Sequence, residues 1–567
     1  MRGDARTERL VEGIVAVALT VVVLGPALVH RGYVLRGDMV FVPDQPWKPA
    51  WLGLDGSVPR SVPMDAVVWL LGQVLPGDIV QKLLLAGTLV ALAIGVSRLL
   101  AGVGLWGRLA GMTLACWNPY VAERLGIGQW ACVAGLAVLP WLVQSCVRLR
   151  DGEGGGPTTA VLLVISAVCA PSMGLVAAFV ALCVLLGRPR RAVLVATGAM
   201  AVVANLPWLV PSLLRSPIHP DPGQFAGFAA VAESGAGVLA SVLSGGGIWK
   251  TSIVPVERGY AAVVIVSAVI AVASAGALVR SRRTVRGSAG LAVAAGCAVL
   301  LAWLSSWDPV LTALAHATAR VPALGIVRDS TRYLAPVVLA VAVGFGLLVD
   351  GAVVWIRSRG GAATPVGLVL ALVPVFLLPT LAWGIQGFLS PSTYPDSWSA
   401  TASALGRARD SAGARGGATV VLPWHGSYRG FAWTSRHAVL DPAPRFLPGA
   451  VLTDDRLFLA NRVLAGEDPY LARVGSALAA PDPSARLRSL GVRWVLVERA
   501  AGGAVPKTLR GRAVIDTGGL VLLDLGAVRA DARDVRNIPA QAPVVAADLL
   551  VAALVIGESF IMGRKSR

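Results

Sequence analysis

The sequence predicts a mainly helical, polytopic membrane protein with one small α/β domain held outside the bilayer. Three observations predict it. Of the 567 residues, 55% are hydrophobic and only 14% are charged, at a mean hydropathy of +0.69. Soluble domains run near a quarter charged. Twelve apolar runs approach the length needed to cross about 30 Å of hydrocarbon. They lie at roughly 11–30, 79–99, 104–120, 130–147, 157–172, 173–187, 191–213, 259–279, 288–306, 333–356, 364–386 and 542–562. Arginines, finally, gather in alternate loops between these runs, as the positive-inside bias requires.

Taken in order, the first run follows Arg2, Arg6 and Arg9 and lacks an A-x-A cleavage site, so it reads as a retained signal anchor. The pair within 157–187 is short and broken at Pro171. With the amino terminus inside, the inner loops hold Arg98 and Arg108, Arg148 and Arg150, Arg188 to Arg191, Arg280 to Arg286, and Arg357 with Arg359. Arg564, Lys565 and Arg567 close the chain. Both termini are then cytoplasmic, in a multi-pass plasma-membrane protein. The net charge of +18 follows from this topology, and nucleic acid is not an expected partner.

The polar segments 31–78, 117–129, 214–258, 307–332 and 387–541 fall outside. A transmembrane module at 1–386 is expected, then an extracytoplasmic α/β domain at 387–541, then a last span and basic tail at 542–567. Within 387–541, "GATVVLPW", "VRWVLVE" and "GGLVLLDLG" read as strands, while "DRLFLANRVLAG" and "PSARLRSLG" read as helices. The six cysteines sit in or beside apolar runs without a CxxC pair, so they read as packing residues. No P-loop, G-x-S-x-G, HExxH or complete Rossmann fingerprint occurs, which leaves ATP-driven transport and serine hydrolysis unsupported.

Chemistry-bearing side chains concentrate on the outer side. "RGDMVFVPDQPWKPAW" carries Asp38 and Asp44 beside interfacial aromatics and a proline-stiffened turn. Each carboxylate reads either as a solvated loop group or as a general base. "CWNPYVAERLGIGQWAC" supplies Glu123, Arg124 and Gln129, as a local ion pair or as a cavity lining. "GIVRDSTRYLAP" places Arg328 and Arg332 one helical turn apart, either snorkelling to headgroups or clamping a phosphate. The Gly- and Pro-rich third outer segment adds His219 and Lys250. Trp398, Trp424 and Trp433 read equally as sugar-stacking or core residues.

Together "RGDMVFVPDQPW", "WNPYVAERLGIGQW", "VRDSTRY" and "LRSLGVRWVLVE" resemble the C-type (GT-C) membrane glycosyltransferases. The closest flavour is that of actinobacterial arabinofuranosyl- and mannosyltransferase-like proteins and YfhO-type membrane proteins. The resemblance implies a polyprenyl-phosphate sugar donor, a cell-envelope glycan or glycolipid acceptor, and inverting transfer. It implies Asp38 as base, with Asp44 as the alternative. Arg328 and Arg332, with Arg124, would hold the donor phosphate, and Glu123, Gln129, His219 and Lys250 would line the cavity. The first loop lacks the family's adjacent acidic pair, so no cofactor is indicated and metal dependence stays open. The alternatives are a lipid-linked glycan flippase and a non-catalytic envelope-assembly protein. Near absence of charge inside the spans favours the enzyme over a transporter.

Overall fold

The computed structural model describes residues 2–186, 191–215, 221, 223–281, 285–413, 416–459, 462–528 and 540–565. Each of the twelve apolar runs contains a helix. Six helical segments are long and apolar enough to cross a membrane: Arg6–Val29, Gly77–Leu99, Trp130–Arg150, Arg191–Leu214, Ala261–Arg280 and Ser330–Ser358. Two bent pairs raise the number to eight. Ser288–Leu304 meets Asp308–Arg320 at 95°, and Ala363–Leu377 meets Pro379–Ile385 at 77°. Gly156–Cys169, Pro171–Leu185 and Gln541–Gly557 are shorter apolar helices. The chain thus builds a multi-pass membrane bundle.

Breaks between helices follow from local chemistry. Ala170 is extended, and Pro171 opens the next helix, where its missing N–H costs nothing. Asn118 ends one helix and starts another. Its Nδ2 donates to the carbonyls of Leu114 and Ala115 at 3.0 and 2.8 Å, while its Oδ1 accepts the Val121 N–H at 3.0 Å. Pro119 then occupies the first turn. The expected short turn at 117–129 therefore contains an eight-residue helix, Pro119–Gly126, all of it buried.

In the α/β domain a five-stranded sheet has the order β10-β11-β9-β3-β6, from β3 (Ala418–Leu422), β6 (Val451–Leu452), β9 (Val492–Glu498), β10 (Arg512–Asp516) and β11 (Leu520–Asp524). β6, β3 and β9 run parallel, and β11 and β10 extend the sheet antiparallel. The helix Asp396–Ala412 packs on one face; Pro469–Leu478 and Pro483–Ser489 pack on the other. All five residues of β3 are buried, as a central parallel strand demands. Strand readings for "GATVVLPW", "VRWVLVE" and "GGLVLLDLG" hold, as does the helix in "PSARLRSLG".

"DRLFLANRVLAG" is a correction. It forms a hairpin of β7 (Leu457–Leu459) and β8 (Arg462–Leu464), not a helix. Gly227, in the segment 214–258, lies against Leu459 and Leu464, so a tertiary contact outweighs the helical propensity of the leucines.

The first loop is sewn into this domain. β1 (Tyr33–Val34) pairs antiparallel with β2 (Pro391–Ser392), and Gly37 bridges Val439 in β5 (Val439–Leu440). Its other side meets the bundle: the Asp38 N–H donates to the Ile127 carbonyl at 2.9 Å. Backbones approach so closely there that only glycine fits. Gly37 (φ +50°) and Gly128 (φ +86°) are both left-handed, and a Cβ on Gly128 would lie 2.0 Å from the Arg36 oxygen. Gly128→Ala is therefore expected to cost at least about 2 kcal/mol. Gly406→Ala, on an open face of the Asp396–Ala412 helix, should instead stabilise by about 0.5–1 kcal/mol. Thermal unfolding in detergent compares the two.

Candidate active site

Asp38 sits where the two modules meet. Gln129 Nε2 donates to its Oδ2 at 3.1 Å, and the Tyr428 hydroxyl donates to its Oδ1. Tyr428 belongs to β4 (Tyr428–Arg429), which pairs with β5, the strand bridged by Gly37. One short ribbon thus sets both the backbone and a side-chain partner of Asp38. Burial and the Asp38 charge push the Tyr428 phenol well above its ordinary value, so it stays a donor. Among the described residues each carboxylate oxygen accepts one side-chain hydrogen bond, which leaves acceptor capacity on both. Cations surround the group: the charges of Arg332, Arg60 and Lys250 all act with that of Asp38. Burial, then the Arg36 charge, push the Lys250 ammonium down, and Asp38 opposes them.

Gln129 is oriented by Arg124, which donates to its Oε1 at 2.5 Å. Arg124 is 1% exposed and also meets Asp329 Oδ2 at 3.1 Å, Asp329 Oδ1 at 3.4 Å and the Thr331 hydroxyl. Arg332 Nε lies 3.0 Å from Asp329 Oδ2. Burial alone would raise the Asp329 carboxyl, but Arg124 and Arg332 hold it down at about 2. Arg124 is thus committed to protein partners, whereas the Arg332 side chain is 35% exposed beside Asp38.

Glu123, the neighbour of Arg124, turns to a different cluster. It is 2% exposed and meets Glu233, whose carboxylate takes Arg258 Nε at 2.8 Å and the Gly247 N–H at 2.9 Å. Burial and the Glu233 charge raise Glu123 well above the usual carboxylate range, so it is the protonated partner of the pair. The short helix is thereby pinned on two sides.

Asp44 is exposed and makes no hydrogen bond among the described residues. Arg328 and Arg332 do not share a helix face. The chain forms 3₁₀ turns at Pro322–Val327 and Ser330–Leu334, and Arg328 pairs with Glu467 and Gln224, not with Arg332's partner Asp329. His219 lies outside the described residues. Trp398 is a core residue, in contact with Tyr394, Phe431, Trp433 and Phe446. Trp433, half-buried, joins that cluster. Tyr428, Asp329, Arg60 and Glu467 are site residues that sequence reasoning missed. Of these only Asp329 carried a signal, as a carboxylate between two arginines in "VRDSTRY".

Removing one member of a buried ion pair strands the other. Arg124→Gln or Asp329→Asn alone should cost about 3–5 kcal/mol, and the double variant should recover most of it. Glu123→Gln should stay within about 1 kcal/mol, because the amide replaces an already neutral donor. The contribution of Asp329, whose folded value lies below its ordinary 3.8, is present above pH 4 and lost as pH falls through about 2. Thermal unfolding of the variants against pH checks all three.

Comparison with known proteins gives structural likeness only. No family model matches the chain, and no curated protein matches it. Three cryo-EM structures of the arabinofuranosyltransferase AftD from Mycobacteria do. One matches over 93% of this chain with a TM-score of 0.55 at 17% identity, covering 40% of its own chain. Two classes of a point mutant give TM-scores of 0.57 and 0.53 at 18% and 14% identity, each over 92% of this chain and 42% and 41% of theirs. The chain thus spans about two fifths of the length of the AftD chains it matches, and at this identity the likeness shows a shared fold alone.

Proposed function

We propose that the protein transfers a sugar from a polyprenyl-phosphate donor to an envelope glycan or glycolipid acceptor, with Asp38 as general base. One observation carries the reading: a carboxylate held rigidly at the module junction, with cations on several sides and two neutral donors on its oxygens. Such a group accepts the proton of an acceptor hydroxyl as that oxygen attacks the anomeric carbon. The bond from that carbon to the phosphate oxygen breaks, and the lipid phosphate leaves with the electron pair. Arg332, Lys250 and the neighbouring Arg60 and Arg328 balance the charge that develops on it. Arg124 and Gln129 position Asp38 without touching substrate. With both termini cytoplasmic, as the arginine distribution suggests, this chemistry faces the outer leaflet.

In this reading the arginine-rich loops face the cytoplasm, where Arg108 pairs with Glu8 and Glu12, and Arg286 pairs with Asp151 and Glu153 at 3.2 and 3.0 Å.

In nanodiscs loaded with a polyprenyl-phosphate sugar, Asp38→Asn is expected to slow transfer by about 10²–10⁴-fold while leaving the unfolding midpoint unchanged. Asp44→Asn should transfer normally. A normal rate for Asp38→Asn would remove Asp38 as the base.

A further inference from the structure

Glu467 stands where Arg60 and Arg328 of the membrane module meet, and it pairs with both. It lies in the turn after β8, where Asp455 accepts the N–H groups of Glu467 and Asp468 at 2.7 and 2.9 Å and so fixes the carboxylate's direction. Arg60, from the first loop, approaches it at 3.3 Å. Arg328, from the segment before the Ser330–Ser358 helix, makes a closer contact. Arg215, at the end of the Arg191–Leu214 helix, adds its field. Arg328 is otherwise seated on neutral groups: Gln224 Oε1 at 2.9 Å, itself 3% exposed, and the Phe228 ring at 5.1 Å. Among the described residues, Glu467 is the acid paired with both Arg60 and Arg328.

Two segments of the membrane module therefore bring Arg60 and Arg328 to one place, and the α/β domain contributes the Glu467 carboxylate that pairs with both, with Asp455 also acting on Arg60. Guanidinium forks take two kinds of anion well, carboxylates and phosphates. We infer that Glu467 is a built-in occupant of a phosphate site formed by Arg60 and Arg328, displaced when a lipid-linked phosphate binds there. This rests on the donor chemistry proposed above and adds the regulation of that site. The lipid phosphate that leaves in the proposed transfer is a monoester of about −1.5 to −2 charge at neutral pH, against −1 for Glu467 and for the diester donor. It is therefore the lipid-linked species that competes best with the carboxylate for the two arginines. Although burial opposes it, Arg60 and Arg328 hold the Glu467 carboxyl down at about 2. Ordinary pH changes therefore do not empty the site; a competing anion does. Because Glu467 and the hairpin before it belong to the α/β domain, loading of the site releases one of that domain's ties to the bundle.

The test uses the full chain in detergent, with farnesyl phosphate and inorganic phosphate as probes. Glu467→Gln is expected to tighten farnesyl phosphate binding about tenfold. Arg328→Gln and Arg60→Gln are each expected to weaken it about tenfold. The Arg328→Gln/Glu467→Gln double variant leaves no charge stranded between these two, so weak binding in that folded protein supports the site directly. Unchanged or weaker binding by Glu467→Gln overturns the proposal. So does a response to inorganic phosphate with none to farnesyl phosphate. These measurements need no sugar transfer, so their failure is separate from the failure of Asp38 as base.

Discussion

Three backbone hydrogen bonds around Gly37 and Asp38 are the constraint on which the rest of the structure depends. The Gly37 N–H donates to the Ala438 carbonyl at 2.8 Å, the Leu440 N–H returns to Gly37 O at 2.7 Å, and the Asp38 N–H donates to Ile127 O at 2.9 Å. Two consecutive residues thus join the α/β domain to the turn that follows the buried helix Pro119–Gly126. Side-chain ties reinforce the seam: Tyr394 donates to Phe41 O at 3.0 Å, and Arg445 meets Asp65 at 3.1 Å. A net hydrogen bond contributes only about 1 kcal/mol. The seam's importance is therefore geometric, since it decides where the Asp38 carboxylate points.

The buried charges behind the seam serve the same end. A buried ion pair contributes little net stability, because desolvation consumes most of the Coulombic gain. Arg124 with Asp329, and Arg258 with Glu233, are better understood as fixing position. The first ties the eight-residue helix directly to a distant segment, and Glu123 of the same helix meets the second at Glu233, so the helix is held from two directions. Arg124 then transmits that position through Gln129 to Asp38. A helix of this length has little intrinsic stability in water, so tertiary partners must supply what propensity does not.

Much of the membrane fold was legible because lipid imposes length and polarity on every span. Apolar runs became helices, Pro171 and Pro119 started helices, and the three strand readings in the α/β domain survived. Side-chain partnerships were not legible. Glu123 and Arg124 looked like a local pair, but their partners Glu233 and Asp329 lie 110 and 205 residues away. Arg328 and Arg332 suggested a shared face through their spacing, yet 3₁₀ turns send them apart. Tyr428 carries no local mark at all; it meets Asp38 only because β4 and β5 fold back onto the first loop. Periodicity reports on a residue's own element, and these contacts join elements remote in sequence.

The left-handed glycines at the seam have a consequence for how the two modules can vary. Where a Cβ on Gly32 would lie 2.6 Å from the Ser392 oxygen, and where Gly37 bridges Val439, the loop and domain surfaces leave no room for compensating side-chain changes. A chimera that borrows the α/β domain from a distant homologue would have to inherit the matching first loop as well. The loop and the domain are exchanged as one inheritable unit, although 390 residues of sequence separate Asp38 from Tyr428 of β4.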